Sequence, residues 1–139
     1  MEPDFLPAHL FLSYAYIMQE RYEEAIAEAQ YLMKNSKEYV TKFTQLLAYS
    51  YAKAGKFAEA RKILDKLILH SRQAYMPPFG IAGIYDALGE AGKAFEWLDI
   101  AFETRDHWLV QLKVNPLIDE IRSDPRFASL IKKMEFESP

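Results

Sequence analysis

Leu47-Ala48-Tyr49-Ser50-Tyr51-Ala52-Lys53-Ala54-Gly55-Lys56-Phe57-Ala58-Glu59-Ala60-Arg61-Lys62-Ile63-Leu64-Asp65-Lys66-Leu67 decides the fold of this 139-residue chain. Phe43, Leu47 and Tyr51 recur every four residues, with Ala48 beside them, which is the apolar stripe of an amphipathic helix. Ala60, Ile63, Leu64, Leu67 and Ile68 mark a second helix with the same period. Gly55 sits between the two, where a chain leaving a helix needs positive φ. The stretch therefore reads as two helices folded back to back around Ala54-Gly55-Lys56.

Two further copies flank it. Ser13 and Ala25, Ala48 and Ala60, and Ala82 and Ala94 are small residues 12 apart, with Tyr16, Tyr51 and Tyr85 between them. Tyr16 to Tyr51 spans 35 residues and Tyr51 to Tyr85 spans 34, the mark of an internal repeat. Small residues let paired helices approach closely, and Tyr and Leu fill the space between pairs. Gly89 repeats the role of Gly55, whereas the first copy has Glu20 at that turn. Predicted helices cover 8–19 and 23–34 in unit one (6–39). They cover 41–54 and 57–70 in unit two (40–74), and 78–88 and 91–104 in unit three (75–106). Pro77-Pro78 marks the start of the fifth helix. No stretch alternates with period two, so no strand is expected.

The tail, 107–137, departs from the repeat. It predicts a short helix at Trp108–Lys113, a stop at Asn115-Pro116, a short helix ending at Arg122, and a last helix from Pro125 to about Met134. Asp124 is the N-cap candidate, with Pro125 at the first helical position. Phe127, Leu130, Ile131 and Met134 give that helix one apolar face suited to closing the end of a stacked array. The expected class is all-α: a right-handed α-solenoid of three helix-turn-helix units plus C-terminal capping helices, in a single domain.

The set Leu47-Ala48, Tyr51, Gly55, Phe57, Ala60 and Leu64, with Ala82, Tyr85, Gly89, Ala94, Leu98 and Ala101, resembles the tetratricopeptide repeat. Unit one departs most from that pattern, lacking the turn glycine and carrying Leu32 where a small residue is usual. The ending is also similar to the close of such arrays in bacterial multidomain regulators. It comprises Ala94-Phe95-Glu96-Trp97-Leu98, Trp108-Leu109, Leu112-Lys113, Pro116 and Arg122-Ser123-Asp124-Pro125-Arg126-Phe127. In those regulators the array follows a winged helix, a kinase or a cyclase domain. The resemblance implies a non-catalytic protein–protein interaction module whose first helices line a concave groove. On the matched positions the groove is lined by Leu10, Tyr14, Ile17 and Met18 from unit one. Lys42, Gln45, Tyr49 and Lys53 follow from unit two, and Met76, Phe79, Gly83 and Asp86 from unit three. Tyr14 and Tyr49 fall off the stripe that holds Tyr16 and Tyr51, and are expected to face the groove. The carboxylate clamp of chaperone-binding relatives is missing, since Leu10, Tyr14, Leu46, Met76 and Gly80 occupy its places.

Composition narrows the function. With no cysteine, disulfides and thiolate sites are excluded. The formal net charge of −3 disfavours a general grip on nucleic acid. No apolar run reaches the length of a membrane span, and the acidic, proline-punctuated start is no secretory signal, so a cytoplasmic location is expected. His9, His70 and His107 lack metal-ligand spacing and read as structural; no metal or cofactor is expected. Glu20, Glu24 and Glu28 share one helical face and read as a solvated one. The glycines form no phosphate-binding pattern, and no nucleophile motif is present. Neither an enzyme nor an RNA-binding array is expected.

Charge is unevenly distributed: residues 1–39 carry −4, 40–73 carry +5 and 74–139 carry −4. The basic middle suits either complementary packing of neighbouring units or an acidic segment of a partner. The expected partner is a protein or peptide of unknown identity. Self-association as a homodimer, or docking of an upstream domain, is the alternative.

Overall fold

The computed structural model describes residues 6–35, 40–73, 78–105 and 120–137. Among these it is all-α. The helices are α1 (Leu6–Met18), α2 (Tyr22–Asn35), α3 (Val40–Lys53), α4 (Phe57–Ser71), α5 (Pro78–Ala87), α6 (Ala91–Glu103) and α7 (Pro125–Glu137). A 3₁₀ turn covers Glu120–Ser123. The first six helices fall within two residues of their expected bounds, and α7 runs one turn further than Met134. The expected helix at Trp108–Lys113 and the stop at Asn115-Pro116 lie outside the described residues. The chain divides into two compact bodies, Met1–Met76 and Pro77–Pro139.

In the first body α2 packs against both α1 and α3, and α3 also packs against α4. Ile26 and Ala29 of α2 meet Leu47 of α3, with Met33, Tyr51, Ala54 and Ile63 around them. In the second body α5 packs on α6, and the 3₁₀ turn packs on both α5 and α7. The six small residues that define the repeat, Ser13, Ala25, Ala48, Ala60, Ala82 and Ala94, are all buried. Their lack of bulk sets how closely each pair of helices approaches. Leu32, the large residue at a small position, is also fully buried, so α2 accommodates it without exposing it.

One turn is built three times. Glu20 N–H donates to the Ile17 carbonyl (3.0 Å) and Arg21 N–H to the Tyr16 carbonyl (2.8 Å). Gly55 and Lys56 do the same to Ala52 and Tyr51 (3.1 and 2.8 Å), and Gly89 and Glu90 to Asp86 and Tyr85 (3.0 and 3.0 Å). These are paired Schellman bonds, which satisfy carbonyls left over at a helix end and require positive φ at the central residue. Gly55 has φ 83° and Gly89 φ 80°, and Glu20 is driven to φ 59° without being glycine. The residue after each turn then accepts the first bond of the next helix, from Ala25, Ala60 and Ala94. Position in the repeat thus overrides the local preference of Glu20. Glu20→Gly is expected to raise stability by roughly 0.5–1 kcal/mol, because a side chain in the left-handed region costs about that much. Gly55→Ala is expected to lower it by about 1 kcal/mol. A Cβ at Gly55 meets nothing within 4 Å, so that cost is conformational. Urea denaturation of the two variants checks both signs.

The C-terminal helix is fastened by two cations over two rings. The Arg126 guanidinium lies 4.7 Å from the Phe95 ring, and the Lys133 ammonium 4.5 Å from the Phe102 ring. Both partners advance by seven residues in the same direction, so α6 and α7 run parallel. Asp124 caps α7 as expected: its Oδ1 accepts the Arg126 N–H (2.9 Å) and its Oδ2 accepts from Arg126 Nη2 (2.9 Å). The carboxylate therefore holds the guanidinium over Phe95. Leu130 is buried, and Phe127, Ile131 and Met134 are half-buried, on the apolar face of α7.

The side-chain hydrogen bond from Arg126, then the backbone N–H bond, hold the Asp124 carboxyl below its ordinary range. A depressed folded value means the cap contributes above the unfolded value of about 3.9 and fades as pH falls through the folded one. NMR titration should place Asp124 below that value in the native chain and move it upward in Arg126→Ala.

Candidate functional site

α1 and α3 carry the residues expected to face a partner, and the structure sorts them. Leu10 and Tyr14 on α1 are half-buried, as are Gln45 and Lys53 on α3. Ile17 and Tyr49 are buried, Tyr49 to 4 % exposure. The Lys42 side chain lies outside the described residues, as does Met76. In the second body Phe79, Gly83 and Asp86 are buried. Exposure of the two tyrosines of α3 is thus the reverse of the expected order: Tyr49 is inside and Tyr51 is half-exposed. Tyr51 packs at the edge of the cluster of Ile26, Ala29 and Leu47, and its OH accepts from Gln30 Nε2 of α2 at 3.0 Å, so it also bridges the two helices.

The reason lies in the packing. α3 lies between α2 and α4, and every residue from Leu46 to Ser50 is buried. A helix contacted on two sides has no single apolar stripe, so the position two residues from Tyr51 is also covered. α5 behaves similarly: Ile81 to Ala87 are all buried. The surface that survives in the first body is Leu10 and Tyr14 with Gln45 and Lys53. Gln45 Nε2 is buried without a hydrogen-bond partner among the described residues, as is Ser50 Oγ. Burial alone pushes the Tyr14 hydroxyl above its ordinary value, which keeps it a neutral donor and acceptor.

Phe11 was not among the expected site residues, and it is 76 % exposed; Met18, seven residues on, is 71 % exposed. The signal was available in α1 itself, where His9 is the only residue that is ordinarily acid, base or cation.

The carboxylate row on α2 is not a uniform solvated face. Glu20 forms the turn, Glu24 pairs with Arg21, and Glu28 is turned to α1, its Oε2 2.7 Å from His9 Nδ1. The His9 ring also lies 4.4 Å from that of Tyr31, and Arg21 stands 5.0 Å over Tyr16. His9 therefore fastens α1 to α2. Lys56, in the basic middle, reaches Glu23 of the acidic first segment at 3.2 Å, so part of the charge asymmetry is spent inside this body. Among the described residues no group of three His, Asp or Glu side chains is placed to hold a metal ion. No described helix is long and apolar enough to cross a membrane. No protein-family model, curated protein or solved structure gives a significant match to this chain.

Proposed function

We propose that the chain is a non-catalytic protein–protein interaction module of the tetratricopeptide class, an α-solenoid that seats a peptide segment or helix of a partner. The observation that carries this reading is the turn built three times on Tyr16, Tyr51 and Tyr85, with the six small residues buried at the same register. Such repeats serve as scaffolds whose first helices present side chains to a partner. Here the presenting residues are Leu10 and Tyr14 of α1 with Gln45 and Lys53 of α3. Tyr14 offers contact area with a hydrogen-bonding tip, the usual anchor of an interface. Gln45 keeps part of its surface exposed, so it adds a polar contact to this face. The similarity of the ending to that of bacterial regulators supports a place at the C-terminal side of a larger protein, where the same face docks an upstream domain as the alternative occupant.

The test is selection from a phage-displayed random peptide library, followed by fluorescence anisotropy of the best peptide. Tyr14→Ala with Gln45→Ala is expected to weaken binding at least about tenfold, in the range of interface hot spots. Unchanged affinity in a double variant with native circular dichroism would refute the assignment.

A further inference from the structure

α1 is apolar on two sides. Its inner side carries Ser13 and Ile17, both buried. Its outer side carries Ala8, Phe11, Ala15 and Met18, in steps of three, four and three residues. That is the spacing of a helix–helix seam. Ala8 and Ala15 are half-buried, while Phe11 and Met18 are the two most exposed large apolar residues among those described. A helix apolar all round is ordinarily covered.

We propose that this seam is a self-association surface, covered by α1 of a second copy running antiparallel about residue 13. The pairing sets large against small: Ala8 faces Met18 of the other copy, and Phe11 faces its Ala15. A parallel pair would set Phe11 on Phe11 and Ala15 on Ala15, leaving a crowded layer beside an empty one. The antiparallel register also keeps the two Glu20 carboxylates apart, whereas a parallel pair would set one against the other. Such an interface is isologous and closes as a two-fold dimer. His9, the charged candidate within α1, is engaged with Glu28 on α2. The seam shares α1 with Leu10 and Tyr14 of the proposed peptide face but uses different residues, and sedimentation and cross-linking read it with no peptide present.

Because one helix face buries less than the roughly 800 Å² per partner of a standard interface, the dimer is expected to be weak. Sedimentation velocity over about 5–200 μM should show a rising sedimentation coefficient for the native chain. Phe11→Glu should stay monomeric throughout with unchanged helical circular dichroism, since Phe11 is exposed. The native chain has no cysteine, so introduced thiols report the register. Under mild oxidation a mixture of Ala8→Cys and Met18→Cys chains should cross-link several-fold more than either alone. A native chain that is monomeric at every concentration overturns the proposal. So does cross-linking of Ala8→Cys with itself, or a mixture that cross-links no better than its components.

Discussion

Tyr49→Ala is expected to lower stability by roughly 3–5 kcal/mol, as for other buried aromatics cut back to alanine. The ring is buried on a helix that is itself packed on two sides, so truncation leaves a cavity that α2 and α4 cannot both move to fill. Tyr51→Ala should cost only about 1–2 kcal/mol, the sum of a half-buried ring and one hydrogen bond from Gln30. Urea denaturation of the two variants decides the order. A larger loss at Tyr51 would mean that the tyrosine of the repeat register, and not Tyr49, fills the core. Tyr49 is for the same reason a poor probe of partner binding, since its removal disturbs the scaffold.

The second large effect is steric. Ala48→Leu is expected to cost about 3 kcal/mol or more, because Ala48 has no exposed surface and added methylenes in a packed core force neighbouring side chains and backbone to shift. The penalty falls on the approach of α3 to its neighbours. Ala58→Leu is the control: Ala58 is exposed on α4, and the same change there should stay within about 0.5 kcal/mol. Thermal melts of both variants test whether buried smallness, and not alanine's helix propensity, is what the repeat preserves at position 48.

The pairing of helices was legible in the sequence because it depends on features that need no knowledge of neighbours. Ser13, Ala25, Ala48, Ala60, Ala82 and Ala94 mark close approach, and Gly55 and Gly89 mark turns whose φ few other residues tolerate. The turn at Glu20 was legible only by register: nothing about glutamate favours positive φ, and the two flanking helices impose it. What escaped was whatever depends on a second neighbour. A single stripe of period 3.6 predicts one buried face, so Tyr49 and Phe79 were expected outside although their helices are covered more widely. A row of glutamates at spacing four predicts a solvated face and says nothing of a histidine on the preceding helix, which is what turns Glu28 inward. Phe11 lies off the tetratricopeptide positions that line the groove, on the remaining side of α1, so the repeat pattern carries no information about its exposure.

The presenting residues expected from the resemblance therefore divide by accessibility. Leu10, Tyr14, Gln45 and Lys53 retain surface, and Ile17, Tyr49, Phe79 and Asp86 serve packing. The proposed partner binding rests on the first group. The most direct measurement is an amide and side-chain NMR titration of the ¹⁵N-labelled chain with the peptide selected from the library. The expected result is that shift changes concentrate on Leu10, Tyr14, Gln45 and Lys53 and spare the exposed face of α4 at Lys62 and Lys66. Shifts that fall instead on that α4 face, with Tyr14 and Gln45 unmoved, would contradict a binding surface made by the first helices of the repeats.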